Sequence, residues 1–98
     1  MKKILFTLAL LISFGSFGQT ADDYFNRAYD KAEKRDYYGA ISDYTKVIEL
    51  EPKYIGAYAN RGKAKQYLGD LNGACNDWEK ATQFGSRTTA KWIFKYCN

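Results

Sequence analysis

The chain contains no histidine. That removes the base of nucleophile–histidine triads and a principal nitrogen ligand of metal sites. A glycine-rich phosphate loop is also missing, since the glycines sit at turns or where helices would touch. The only two cysteines, Cys75 and Cys97, are too few to hold a metal alone and are not spaced as a Cys-x-x-Cys redox pair. No segment alternates apolar and polar residues as a half-buried strand would. The acidic pairs Asp22-Asp23 and Glu49/Glu51 fall where helix ends and solvated surfaces account for them. A two-carboxylate hydrolase would also need an enclosing pocket. Catalysis is not expected, and no cofactor or metal is implied.

Long apolar runs are scarce too. The one present, from Ile4 to about Phe14, follows the basic pair Lys2-Lys3 and is closed by Gly15-Ser16-Phe17-Gly18. This is the three-part layout of a secretory signal peptide, with Ser16 and Gly18 at the −3 and −1 positions of the cut. The run is short of the ~20 residues that span a bilayer, and no cysteine at the junction suggests a lipoprotein. Residues 1–18 are therefore expected to be removed, leaving an unanchored secreted or periplasmic protein that begins at Gln19. Without them the chain has 80 residues, near the lower limit for an independent core. Losing Lys2 and Lys3 lowers the basic count from 15 to 13 against 11 acidic residues, a net charge of +2. That balance, with charges alternating in sign along the helices, reads as a solvated surface and argues against a nucleic-acid partner.

What the sequence does have is a repeat. Residues 21–54 and 55–88 are related by a shift of 34, with nine identical positions: Tyr24/Tyr58, Asn26/Asn60, Arg27/Arg61, Lys31/Lys65, Asp36/Asp70, Gly39/Gly73, Ala40/Ala74, Asp43/Asp77 and Lys46/Lys80. Tyr44/Trp78 keeps a large aromatic, and Ala28/Gly62 keeps a minimal side chain. A period of this length marks a supersecondary unit that buries its apolar face against copies of itself.

Helix signals recur with the same spacing. A first helix is expected from about Asp22 to Arg35 with Thr20 as N-cap, and a second, capped by Asp36, from about Tyr37 to Leu50. Pro52 ends the second helix. A third should run from about Tyr54 to Leu68 and stop at Gly69; a fourth, capped by Asp70, from Leu71 to Phe84 and stop at Gly85. After Ser86 a short fifth helix should carry Trp92, Ile93 and Tyr96. Ala28, Gly62, Ala40 and Ala74 are small enough for close helix approach, with Tyr24, Tyr44, Tyr58 and Trp78 as the flanking knobs.

The repeated pattern resembles the tetratricopeptide repeat: Tyr24, Ala28, Gly39-Ala40, Tyr44 and Pro52, then Tyr58, Gly62, Gly73-Ala74 and Trp78. The resemblance implies an all-α, antiparallel helical-hairpin solenoid of two repeats, 21–54 and 55–88, with a capping helix over 89–98. It also places Cys75 on the face of the fourth helix that meets the next one. An antiparallel capping helix would then bring Cys97 beside Cys75, either as a disulfide, which an oxidising compartment permits, or as two reduced thiols.

Members of this family hold a peptide or a partner's helix in a concave groove lined by the first helices. By position, that groove would present Phe25 and Tyr29 from the first repeat and Asn60, Lys63 and Tyr67 from the second, with Ala90, Ile93 and Phe94 from the capping helix. Of the Lys, Asn and Arg set with which some members clamp chaperone tails, only Asn60 is matched, so that clamp is not expected. The alternative for Phe25 and Tyr29 is packing at the solenoid's first turn. The resemblance implies a protein-interaction module with a protein or peptide ligand. The other reading is a structural, self-associating subunit of an envelope complex, a homodimer included.

Overall fold

The computed structural model describes residues 19–98; the expected signal segment, residues 1–18, lies outside them. Five helices follow one another: α1 (Ala21–Glu33), α2 (Tyr37–Leu50), α3 (Ile55–Tyr67), α4 (Leu71–Gln83) and α5 (Arg87–Tyr96). No strand occurs among the described residues. Each helix packs on its neighbours in sequence, and α1 also reaches α3. The result is two helical hairpins and a closing helix, stacked in one direction.

Local chemistry sets the boundaries. Thr20 and Asp23 form a capping box at the start of α1: Asp23 N donates to Thr20 Oγ1 at 3.2 Å, and Thr20 N donates to Asp23 Oδ2 at 3.1 Å. Asp36 and Asp70 cap α2 and α4 by accepting from Gly39 N at 3.0 Å and Gly73 N at 2.9 Å. α1 ends at Glu33, short of the expected Arg35, because Arg35 turns left-handed at φ 67°. Gly69 holds the same place 34 residues on, at φ 88°. Only glycine takes this conformation without a Cβ penalty, so the first hairpin turn is the more strained of the two. The turns out of α2 and α4 differ as well, with Glu51 extended before the Pro52-Lys53 turn in one and Gly85 at φ 118° in the other. α5 starts at Arg87, directly after Ser86 as expected, where Ser86 Oγ accepts from Thr89 N at 3.2 Å.

The two hairpins solve one packing problem with different side-chain pairs. In the first, Ala28 and Ala40 are fully buried beside Tyr44, which is 1% exposed. In the second, the larger Trp78 takes the place of Tyr44, and Gly62 takes that of Ala28. A Cβ on Gly62 would collide with the Trp78 indole nitrogen, lie 2.7 Å from Trp78 Cδ1 and press on the Ala74 carbonyl at 3.1 Å. The missing methyl of Gly62 is the room that the wider indole needs. Trp78 Nε1 donates to the Ala59 carbonyl at 3.2 Å, so its buried polar atom is satisfied.

α5 closes the open side of α4. Trp92 and Tyr96 lie 5.4 and 6.0 Å from the Trp78 ring, and Thr89, fully buried, bonds Thr82 at 2.8 Å. A disulfide joins Cys75 near the start of α4 to Cys97 just past the end of α5, with the Cα atoms 5.9 Å apart. These contacts run 75–97, 78–96, 78–92 and 82–89, so α5 is antiparallel to α4.

Two charges depart from the expectation of a purely solvated polar surface. Asp43 and Asp77 are each 4% exposed. Arg27 grips Asp43 with two bonds of 2.9 Å, and Lys31 reaches the same carboxylate at 3.0 Å. Arg61 grips Asp77 at 2.8 and 2.7 Å, with Lys65 at 3.1 Å. The identical residues Arg27/Arg61, Lys31/Lys65 and Asp43/Asp77 are thus one clamp used twice, tying the helices of each hairpin together through a bidentate guanidinium. The Arg27 guanidinium holds the Asp43 carboxyl below its ordinary range, and both arginines are held above theirs by their aspartates. Arg61 also donates to Thr45 Oγ1 of α2 at 3.1 Å, so the second clamp reaches back into the first hairpin.

Candidate functional site

Tyrosine dominates a cleft of 610 Å³ between α1 and α3, floored by α2. Its wall on α1 is Tyr29, Ala32 and Glu33; Asn60, Lys63, Ala64 and Tyr67 face it from α3. The hairpin spacing sets this arrangement. Both are first helices of their hairpins, so side chains one helical turn apart on each project to the same side of the stack. Tyr44 and Tyr37 form the floor and one end, with Arg35 from the strained turn beside them. Tyr37 and Tyr67 stack with centroids 4.8 Å apart and planes 9° from parallel, which braces the otherwise exposed Tyr67. Burial pushes the Tyr44 hydroxyl up to about 12, with the Asn60 amide acting the other way, so Tyr44 stays neutral at the cleft floor.

A smaller lobe of 180 Å³ adjoins it, lined by Lys63, Gln66, Tyr67, Trp78, Trp92 and Tyr96. Lys63 and Tyr67 belong to both lobes. The Lys63 ammonium sits 5.5 Å from the centre of the Trp92 ring, which holds it at the divide between the lobes by a cation–π contact.

Of the five residues expected in the groove, Tyr29, Asn60, Lys63 and Tyr67 come together at the cleft. Phe25 does not line it. Its ring stacks on Tyr54 at 5.1 Å and meets Tyr44 edge-on at 5.5 Å, at the margin of the first hairpin's core. Phe25 and Tyr29 are a helical turn apart, and the approach of Tyr54 at the start of α3 covers only the former. Tyr54 is anchored there by its hydroxyl, which donates to Asp22 Oδ1 at 2.7 Å. Phe94, expected from the capping helix, lines neither lobe and is 82% exposed. The sequence reading missed Tyr37, Tyr44 and Arg35 in the cleft. Tyr44 was read as a knob of the helix packing, and nothing local in the sequence marks Arg35 as a turn residue.

The site offers aromatic surface, one amide, two cations and one carboxylate. No group of three or more histidine, cysteine, aspartate or glutamate side chains able to hold a metal occurs among the described residues. No helix among them is long and apolar enough to cross a membrane.

No protein-family model matches the chain. It is similar to two curated proteins. One is the heat shock protein sti1 homolog of Schizosaccharomyces pombe, 37% identical over 57 residues. The other is the tetratricopeptide repeat protein 36 homolog of Nematostella vectensis, 32% identical over 63 residues. These matches cover 58% and 64% of this chain but 10% and 35% of those proteins, so the chain corresponds to about a tenth and about a third of their lengths. Together with the stacked helical hairpins, the similarities support a tetratricopeptide-repeat kinship.

Proposed function

We propose that the chain is a small exported tetratricopeptide-repeat protein, a binding module and not an enzyme, that holds a peptide or a segment of a partner protein in the cleft between α1 and α3. One observation carries the reading: Tyr29, Tyr37, Tyr44 and Tyr67 converge with Asn60 and Lys63 on an open concavity of 610 Å³. Tyrosines supply large contact area with little conformational freedom to lose, which suits recognition. The amide and the ammonium give direction to a ligand's backbone and charge. On this reading residues 21–54 and 55–88 are the repeats and α5 their cap.

The binding reading is tested with a partner co-purified from envelope extracts and titrated calorimetrically. Asn60→Ala with Lys63→Ala should lower the melting temperature only modestly, since Lys63 is exposed and Asn60, half-buried, gives up one contact with the Tyr44 hydroxyl worth about 1 kcal/mol. Affinity should weaken by about 1 kcal/mol or more, roughly fivefold. An unchanged affinity would move the interaction away from the cleft.

A second reading, a self-associating subunit, draws on the single observation of Phe94, 82% exposed on α5. Sedimentation separates the two, since a groove binder stays monomeric at concentrations where a subunit self-associates. Export rests on the layout of residues 1–18, and a secreted or periplasmic protein should begin at Gln19. Intact mass of the exported product checks this; a mass that retains residues 1–18 would instead mean a tethered protein.

A further inference from the structure

The two lobes meet at Lys63. Arg27, Lys31, Lys46, Arg61 and Lys65 each have a carboxylate within ion-pair distance; Lys63, like the remaining basic residues among the described ones, has none, and it alone of them lines both lobes. Its ammonium rests over the Trp92 face, and that contact leaves its N–H donors open to solvent. On either side lie aromatic walls with accessible surface: Tyr29 and Tyr37 in the larger lobe, Trp92 and Tyr96 in the smaller. A ligand that spans the divide therefore meets apolar surface, then an unpaired cation, then apolar surface again.

An extended chain sends alternate side chains to the same face. Three side chains at every second residue can thus enter the groove together. We propose, resting on the groove reading above, that the ligand is an extended segment with an acidic side chain flanked two residues away on each side by large apolar ones. Its carboxylate meets Lys63, and the flanking side chains enter the two lobes. The aromatic lobes supply most of the affinity, while the ammonium supplies selectivity for the acidic centre and a dependence on salt. Glu33 and Arg35 also line the larger lobe, so with Lys63 the groove carries one net positive charge.

The test uses the whole exported chain and fluorescein-labelled peptides, acetylated and amidated so that no terminal charge contributes. Each has the core tryptophan-glycine-X-glycine-leucine between serines, with X aspartate, asparagine or lysine. By fluorescence anisotropy the aspartate peptide should bind about fivefold to tenfold more tightly than the lysine peptide, with asparagine between. That gap should narrow at about 0.5 M salt. Lys63→Gln, verified as folded by its melting curve, should erase the discrimination while leaving weak binding of all three. Tyr67→Ser should weaken all three alike, because Tyr67 is a wall of both lobes. Equal binding of the aspartate and lysine peptides, preference for lysine, a preference that survives Lys63→Gln, or no binding at millimolar peptide would each overturn the inference. The groove reading stands or falls separately, on whether the co-purified partner loses affinity for the Asn60→Ala, Lys63→Ala protein.

Discussion

Reducing the Cys75–Cys97 disulfide should lower the melting temperature by roughly 12–24 °C. The bond joins residues 22 apart in sequence. Cross-linking a loop of that size removes enough freedom from the unfolded chain to contribute about 3 kcal/mol. A domain this small has about 5 kcal/mol of stability in all. The loss should also be localised. α5 covers Trp78 through Trp92 and Tyr96, and Thr89 shares a buried hydroxyl bond with Thr82. Without the disulfide, α5 should fray from its C-terminal end, where Cys97 fastens it. The Cys75→Ser, Cys97→Ser protein should therefore melt early, and its α5 amides should lose hydrogen-exchange protection while those of α1 and α2 keep it. Full thiol labelling of both cysteines without reductant, or an unchanged melting temperature in the double variant, would contradict this.

Arg61→Met should destabilise the protein by about 2–3 kcal/mol, and the equivalent Arg27→Met by clearly less. The two arginines make the same bidentate contact, so the difference lies in what surrounds them. The Arg61 side chain is 17% exposed and that of Arg27 46%, over aspartates that are both nearly covered. Arg61 has the additional bond to Thr45 across the hairpin boundary. Removing it leaves Asp77 with Lys65 alone at 3.1 Å, a buried carboxylate short of two charged donors. Water can take the place of Arg27 at Asp43 more easily, because the guanidinium there already stands half in solvent. Urea unfolding of both variants reads the comparison directly. Equal losses would mean that exposure does not decide the strength of the clamp. No loss in either would mean that the repeated ion pairs do not hold the hairpins together.

Most of the fold was legible in the residues. Thr20, Asp36 and Asp70 announce three helix starts, and Gly69, Gly85 and Pro52 announce helix ends, because capping and turn geometry are local chemistry. The shift of 34 set out the two hairpins, and the resemblance to the tetratricopeptide repeat, with its antiparallel capping helix, implied Cys97 beside Cys75 while leaving the bond open. Arg35 was not legible, since a left-handed arginine carries no signature and only its alignment with Gly69 betrays the turn. The buried aspartates had a signal that charge patterning obscured: a surface pair has no need to recur with the same three residue types at the same spacing. The lining of the cleft was legible on α1 and α3 through the family positions that the resemblance supplied, which include Tyr29 on one wall and Asn60, Lys63 and Tyr67 on the other. It was not legible where contacts cross between helices. The cover of Tyr54 over Phe25 and the stack of Tyr37 on Tyr67 depend on how the helices are set against each other, which no local pattern reports.

The central claim, that the cleft between α1 and α3 is the binding surface, is tested most directly by site-specific photocross-linking to the co-purified partner. A benzophenone amino acid is placed in turn at Tyr29 and Tyr67, which line the cleft, and at Tyr38 and Phe94, which are more exposed and line neither lobe. Adducts at Tyr29 and Tyr67, with none at Tyr38 or Phe94, are the predicted result. Adducts at Phe94 or Tyr38, with none in the cleft, would contradict it.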